Sequence, residues 1–333
     1  SPLGLACTAA WSCNLSTAQL ARNPGMALDL SWIENLHVNQ PAILRRTQHL
    51  SNSRSLKKEW QAAWLVRAIE CMDLTTLSGD DTEGRVKRLC AKAKNPLRKD
   101  MVVALGLGGG VKTGAVCVYH DMIHTAVDVL QGTGIPVAAV STGFPAGLSS
   151  HETKLREIEL SVKAGASEID IVITRKHVLQ GNWQALYQEM KDYRRACGDA
   201  HVKAILATGD LQTFENVAKA SWVCMMAGAD FIKTSTGKES VNATLDVSLV
   251  MTRAIRDYAA LTTHKVGYKP AGGIASAKLA LQYLVLMKEE LGDEWLKPHL
   301  FRFGASSLLT DIERQLEHHI TGSYSAAHRH AMP

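Results

Sequence analysis

The sequence lacks several features that would define its class. It has no run of about eighteen uncharged apolar residues, so it predicts no membrane span. Its seven cysteines form neither a CxxC pair nor a regular disulfide framework, and an odd number is typical of a reducing compartment. No targeting segment stands out clearly. We therefore expect a cytoplasmic protein.

Concentrated charge is also missing. The formal net charge is only +5, and the basic pairs are scattered along the 333 residues. Such scatter is typical of a solvated surface, so we expect no nucleic-acid partner.

Four histidines lie near the C-terminus, but their spacing is weak evidence for a metal site. The histidines are His318, His319, His328 and His330, and we expect no metal at them. We also expect a flexible tail over residues 321–333.

The N-terminal part differs from the rest. Residues 1–28 carry no acidic side chain and have Arg22 as their one charged residue. A transit peptide would contain more arginine, so we interpret this segment as a disordered extension. From 29 to 67 the apolar residues Leu30, Ile33 and Leu36 recur at helical spacing, which predicts N-terminal capping helices.

The remaining chain is regular. Apolar, β-branched segments alternate with helical patterns at intervals of roughly 33 residues, near the length of one βα unit. Eight such units over residues 68–320 predict a TIM (β/α)8 barrel. A doubly wound sheet is the alternative, but Gly106 to Gly110 precede a strand where a dinucleotide fingerprint would follow one. The segments begin near Ile69, Ala115, Val137, Ile169, Val202, Phe231, Val266 and Phe301.

Strand alternation predicts which polar side chains point into this barrel. In the segment around residue 170, Ile169, Ile171 and Ile173 form one apolar face, so Asp170 must face the interior. The same argument sends Lys233 inward at the end of its strand. Applied to each strand, it collects a set of charged residues inside the barrel: Asp73, Asp170, Lys203, Lys233 and Lys269.

Buried lysines of this kind can serve catalysis. Desolvation and a neighbouring cation both favour the neutral amine, which can attack a carbonyl and form a Schiff base. The alternative is that these charges simply pair in a polar core, which for Lys203 or Asp73 alone is an equal interpretation. Strand alternation does not tell which lysine is the nucleophile.

Glycine- and hydroxyl-rich turns follow the late strands. Backbone N–H groups at such turns and at helix starts bind anions, and TIM barrels often hold phosphate after strands seven and eight. Any one turn could be ordinary, but three that converge favour a phosphate site. The candidate residues are Thr236, Gly237, Lys238, Gly272, Gly273, Ser306 and Ser307.

Five motifs carry a family resemblance over about residues 29–322. They are Met72-Asp-Leu-Thr-Thr-Leu77, Glu168-Ile-Asp-Ile-Val172, Phe231-Ile-Lys-Thr-Ser-Thr-Gly-Lys238, Lys269-Pro-Ala-Gly-Gly273 and Phe303-Gly-Ala-Ser-Ser-Leu308. In order and context they resemble the deoxyribose-phosphate aldolase family, of the animal type. The resemblance implies a class I aldolase, without metal or other cofactor, acting in deoxyribose phosphate catabolism. It joins or splits 2-deoxy-D-ribose 5-phosphate, D-glyceraldehyde 3-phosphate and acetaldehyde.

The resemblance also assigns roles. It implies that Lys233 forms the Schiff base, that Lys269 perturbs its pKa and that Asp170 relays protons through water. It further implies substrate-binding roles, in addition to those of the phosphate turns, for Asp73, Thr75, Cys117 and Lys203, although Cys117 also fits a buried apolar cysteine. A homo-oligomer is a further expectation.

Two departures and two rival functions accompany this resemblance. Tyr119-His120 replaces the family's usual Tyr-Pro, which predicts a changed loop start, and Asp210 stands where glutamate is common. A different Schiff-base aldolase, such as a transaldolase-like enzyme, would share the lysine chemistry. An inactive metabolite-binding or scaffolding relative would keep the fold alone.

Overall fold

A computed structural model describes residues 21–52, 58–323 and 325–331. Within them, eight strands form one parallel sheet, in which the first seven strands pair in sequence order. The strands are β1 (Met72–Thr75), β2 (Ala115–Val118), β3 (Val137–Ser141), β4 (Glu168–Val172), β5 (His201–Ile205), β6 (Phe231–Lys233), β7 (Gly267–Lys269) and β8 (Phe303–Ala305).

The sheet closes on itself. Strand β8 pairs with β1, and single parallel bridges join the β7 and β8 segments at Tyr268 with Phe301 and at Ala271 with Gly304. A doubly wound sheet would keep two open edges. The predicted (β/α)8 barrel is confirmed.

Helices surround the barrel because their apolar sides pack on the outward faces of the strands. Several begin at a Ser or Thr whose side chain accepts a backbone N–H of the first turn, as Ser150, Thr213, Thr244 and Ser276 do. In chain order the α-helices are α1 (Leu30–Glu34), α2 (Gln40–Asn52), α3 (Lys58–Glu70), α4 (Glu83–Lys94), α5 (Lys99–Ala104), α6 (Ile123–Leu130), α7 (His151–Lys163), α8 (Arg175–Leu179), α9 (Trp183–Cys197), α10 (Phe214–Met226), α11 (Leu245–Thr262), α12 (Ala277–Leu291) and α13 (Ser307–Thr321).

The start of the first strand differs from the sequence prediction. The apolar segment beginning at Ile69 predicts an extended chain, but Ile69 lies in the last turn of α3 and β1 begins at Met72. Buried residues at Leu65, Ala68 and Ile69 follow the spacing of one helical face. Asp73 still points inward, because alternation is kept within β1 itself.

Helices α1 to α3 pack on the outer layer of the barrel. Helix α2 contacts α11 and α12, and α3 contacts α12 and α13. Residues 1–20 of the expected disordered extension lie outside the described residues. Residues 21–28 differ from that expectation, because Asn23 is buried and its amide donates to the carbonyls of Met225 and Ala229. Arg22 also pairs with Asp230 at 3.1 Å.

The described part of the tail also differs from a loose, solvated segment. His330 is fully buried, with its ring nitrogens 3.0 Å from Glu313 Oε2 and 2.9 Å from Glu317 Oε2 of α13. Ser325 is buried beside it, at 2.8 Å. Two acidic side chains one helical turn apart thus receive the histidine that the sequence places in the tail.

Candidate active site

Strands β6 and β7 carry two lysines side by side. Lys233 and Lys269 are register partners at the C-terminal ends of their strands, and both are buried. Lys233 Nζ donates to Asp170 Oδ2 at 3.0 Å, and Lys269 Nζ donates to the same oxygen at 2.8 Å. Phe231 points the same way one layer below, since alternate residues share a face. The two lysines therefore share one carboxylate.

Lys269 and Lys203 have further anionic partners. Lys269 Nζ lies 2.5 Å from Asp73 Oδ2, in addition to its bond with Asp170. Lys203 Nζ lies 2.8 Å from Asp73, 2.7 Å from Glu168 and 3.0 Å from Asp170. The structure thus brings together all five charged residues that strand alternation placed inside the barrel.

Two members of this cluster were missed from the sequence. Glu168 begins β4 and faces inward like Asp170, two residues later. Arg302, just before β8, donates to Glu168 at 3.0 and 2.9 Å and to Asp73 Oδ1 at 2.6 Å. The alternation of β4 could have indicated Glu168, because it shares the parity of Asp170. Arg302 shares the parity of Gly304, which gives no comparable polar signal.

The three lysines differ in pKa because their surroundings differ. Burial lowers the pKa of Lys233, the Lys269 cation lowers it further, and Asp170 opposes both without cancelling them. Burial alone would lower the pKa of Lys269 and of Lys203, but the carboxylates around each outweigh burial and raise both pKa values. Of the three, Lys233 is the amine that most readily becomes a neutral nucleophile.

Asp170 is the opposite case. Burial alone would raise the pKa of its carboxyl, but three lysines in contact hold that pKa well below its usual range. Asp170 is therefore a carboxylate at neutral pH. It can orient water and hold the ammonium form of a neighbouring lysine.

An apolar wall lies beside the lysines. Cys117 from β2 is fully buried, and burial raises the pKa of its thiol. It packs with Ala138 and Val140, and partly buried Tyr119 and Phe144 extend the wall. Cys117 therefore presents a neutral, apolar surface near the amines.

The turns after β6, β7 and β8 lie next to one another, as the barrel closure requires. Gly237 has φ +87° and Gly273 has φ +78°, and the space where a side chain would stand is open at both. Ser306 precedes α13 without a side-chain cap bond, and both Ser306 and Ser307 are exposed. Exposed backbone in positive-φ turns next to a helix start can receive an anion.

The β6 turn is fixed by a buried acid. Glu239 accepts the backbone N–H and the hydroxyl of Thr236, and Arg175 pairs with Glu239 at 3.1 Å. Arg175 also lies 2.9 Å from Asp210. Asp210, one of the two departures from the family pattern, therefore helps to hold the loop that leads to Gly237.

The other predicted contacts are occupied within the protein. Thr75 Oγ1 donates to the carbonyl of Asp73 at 2.7 Å, and Lys238 Nζ donates to that of Leu77 at 2.9 Å. Gly272 approaches the side chain of Asn242. His120 lies 2.9 Å from Ser161 of helix α7. The substrate contacts expected of Thr75, Asp73 and Lys203 stay predictions.

Comparison with known proteins decides the family. The model of the DeoC/LacD family aldolases matches residues 67–313. The chain belongs to this family. It is 58% identical over 311 residues to human deoxyribose-phosphate aldolase, which covers 92% of this chain and 98% of the human one. The mouse enzyme of the same name is 60% identical over 307 residues, covering 91% and 96%.

A solved structure agrees with the fold. The tetrameric deoxyribose phosphate aldolase from Aeropyrum pernix has a TM-score of 0.57 and 21% sequence identity, covering 84% of this chain and 99% of that one. At this identity the similarity concerns the fold alone. Within the described residues, no helix is long and apolar enough to span a bilayer.

Proposed function

We propose that this protein is a deoxyribose-phosphate aldolase that works through a Schiff base on Lys233. The observation that carries the proposal is the buried pair Lys233 and Lys269 on the single oxygen Asp170 Oδ2. High identity to the human and mouse enzymes supports the substrate. The reaction is the reversible cleavage of 2-deoxy-D-ribose 5-phosphate to D-glyceraldehyde 3-phosphate and acetaldehyde.

The first half of the reaction forms the imine. The neutral amine of Lys233 attacks C1 of the open-chain aldehyde, and the resulting carbinolamine loses water when its hydroxyl receives a proton. Asp170, 3.0 Å from Lys233 and 2.8 Å from Lys269, orients the water that carries this proton. The product is a protonated imine, whose positive nitrogen can accept an electron pair.

The second half breaks the carbon–carbon bond. A water held by Asp170 removes the proton of the C3 hydroxyl, C3 becomes a carbonyl, and the electron pair of the C2–C3 bond moves toward the imine. Glyceraldehyde 3-phosphate leaves, and an enamine of acetaldehyde remains on Lys233. Protonation at C2 and hydrolysis of the imine release acetaldehyde and restore the amine. The electron sink is the imine nitrogen itself.

The phosphate anchors the far end of the sugar. The open turns at Gly237 and Gly273 and the exposed Ser306 and Ser307 supply N–H and hydroxyl donors for it. With one end fixed, the aldehyde meets Lys233 in a defined orientation, which lowers the entropic cost of attack. Thr236, Lys238 and Gly272 shape this phosphate site, and Thr75 and Cys117 line the sugar.

Location and assembly belong to the same proposal. Five described cysteines, all buried, are free thiols, which supports a cytoplasmic, reducing setting. The tetramer of the Aeropyrum pernix protein supports a homo-oligomer. Light scattering coupled to size-exclusion chromatography tests the assembly: a monomer at micromolar concentration would contradict it.

The substrate is tested by a cleavage assay. Release of glyceraldehyde 3-phosphate is followed with 2-deoxyribose 5-phosphate, and in the reverse direction acetaldehyde is compared with ketone donors. We expect turnover with the deoxy sugar and with acetaldehyde. Preference for a ketone donor would favour another Schiff-base aldolase, and binding without turnover would favour an inactive relative.

A further inference from the structure

Four cationic groups and three carboxylates form one buried network at the barrel centre. Arg302 bonds to Glu168 and Asp73, these two contact Lys203 and Lys269, and Asp170 joins all three lysines. Every one of these side chains is nearly or fully buried. Four positive charges against three negative ones leave a net charge of +1 when all groups are ionised. Loss of one lysine proton makes the network neutral, which a low-dielectric interior favours.

The contacts determine which lysine loses that proton. Lys203 has three carboxylate partners and Lys269 has two. Among the residues that the structure describes, Lys233 has Asp170 as its one carboxylate partner, through the oxygen that Lys269 also contacts. The ammonium with the fewest anionic contacts is the least stabilised.

We propose that Glu168 and Arg302 are positioning residues that set the pH at which Lys233 becomes the neutral amine of the network: Arg302 favours the neutral form, and Glu168 opposes it while holding Lys203 as a cation. Glu168 supplies the third carboxylate of Lys203 at 2.7 Å and keeps that lysine charged. Arg302 binds Asp73 through Oδ1, so Oδ2 is left for Lys203 and Lys269. Neither residue contacts Lys233. The inference rests on the proposed function, since it concerns how the Schiff-base lysine is activated.

Other titratable groups near the network do not change this count. His201 and His299 lie near Arg302, and burial lowers the pKa of both imidazoles. Cys71 near Arg302 and Cys117 near Lys233 have thiol pKa values raised by burial. These four groups are therefore neutral at pH 7.

Opposite charge changes give opposite predictions. Arg302→Gln leaves three lysines and three carboxylates, so Lys233 keeps its proton to higher pH. Glu168→Gln leaves four cations and two carboxylates, so Lys233 loses its proton at lower pH. The double variant has three cations and two carboxylates, and it restores the charge of the wild-type network.

The measurement is the rate of imine formation with acetaldehyde as a function of pH. Cyanoborohydride quenching and mass spectrometry of the Lys233 peptide report that rate. The acid limb is the part of this profile in which the rate falls as the pH falls. We expect its midpoint to move by about half to one pH unit, upward in Arg302→Gln and downward in Glu168→Gln. The double variant should return toward the wild-type midpoint, and Arg302→Lys should stay near it.

A purely structural role gives a different result. It would lower folded yield and rate in all variants and leave the midpoint unmoved, which would overturn the inference. Lys92→Met is the matched control, because it breaks a buried pair with Glu313 at 2.6 Å, outside this network. It should reduce stability while the midpoint stays in place.

Two further readouts cover the case in which Arg302→Gln does not fold. Glu168→Gln alone must still move the limb downward, and an unmoved limb contradicts the inference. In the wild type, ¹⁵N shifts of lysine Nζ should show Lys233 neutral and Lys203 and Lys269 charged at one and the same pH. Failure of the wild type to form any adduct on Lys233 would instead contradict the proposed function.

Discussion

Lys233 Nζ and Lys269 Nζ both donate to Asp170 Oδ2, at 3.0 and 2.8 Å. An oxygen that accepts hydrogen bonds from two ammonium groups stabilises each of them less than a separate carboxylate would. Lys269 compensates through Asp73, at 2.5 Å, and Lys233 has no equivalent partner among the described residues. This unequal sharing explains why neighbouring lysines differ in pKa.

The pH dependence of imine formation follows from that difference. Burial and Lys269 lower the pKa of Lys233, so its amine is neutral at a pH where an ordinary lysine, of pKa about 10.4, is charged. Below the pKa of Lys233 the amine is protonated and cannot attack. The rate should therefore fall as pH falls, with a midpoint clearly below that of free lysine side chains.

Replacing Lys269 tests whether its positive charge lowers the pKa of Lys233. Lys269→Met removes a cation and leaves Asp170 to Lys233 and Lys203, so the midpoint should rise by about one pH unit or more. Lys269→Arg keeps the charge and should stay closer to the wild type. A midpoint that does not respond to Lys269→Met would mean that burial alone lowers the pKa of Lys233.

Asp170→Asn separates proton transfer from amine activation. The variant loses the carboxylate that raises the pKa of Lys233, so the acid limb should move to lower pH. It also loses the proton relay, and general acid–base groups contribute about 10²- to 10⁴-fold, so kcat should fall within that range. Single-turnover kinetics across pH measure both effects. Unchanged kcat with a shifted limb would remove Asp170 from proton transfer.

Gly237→Ala tests the phosphate turn. An alanine at φ +87° is strained by about 1–3 kcal/mol, and relief of that strain would turn the neighbouring N–H groups away from the phosphate. The KM for deoxyribose 5-phosphate should rise about 10-fold or more. Imine formation with acetaldehyde, which has no phosphate, should hardly change.

Gly132→Ala is the control for that variant. Gly132 has φ +77° and open space around it, but it precedes β3 at the opposite end of the barrel. It carries similar strain without proximity to the site, so KM should remain as in the wild type. An equal rise in KM in both variants would show a general loss of structure.

The C-terminal segment should affect stability and leave catalysis unchanged. His330→Ala removes the group that lies between Glu313 and Glu317, both buried in α13. Glu313 keeps Lys92 and Glu317 keeps Arg98 as partners, so loss of the histidine should cost about 1–3 kcal/mol, which denaturant unfolding can measure. His328→Ala, at an exposed position, should be close to neutral. Equal stability of the two variants would contradict the buried position of His330.

The sequence supported the barrel and most of its interior because strand alternation and βα spacing are local signals. Asp170 could be placed from the isoleucines on either side of it, and Lys233 from its position at a strand end. Glu168 lay on the same face and could have been found.

The remaining features depend on contacts between distant residues. Arg302 meets Asp73 across 229 positions of sequence, and no local pattern indicates that pair. Asn23 and His330 are buried by partners on other elements, so the local sequence at both termini gives no sign of their burial. Family resemblance, and not the local sequence, distinguishes Lys233 from Lys269 as the nucleophile, because the two lysines have similar neighbours along the chain.

The Schiff base on Lys233 is tested most directly by borohydride trapping with acetaldehyde, followed by peptide mass spectrometry of the wild type and of Lys233→Ala. We expect a two-carbon ethyl adduct on the wild-type peptide that contains Lys233, and no adduct in the variant. An adduct on Lys269 or Lys203, or none at all from folded wild-type protein, would contradict it.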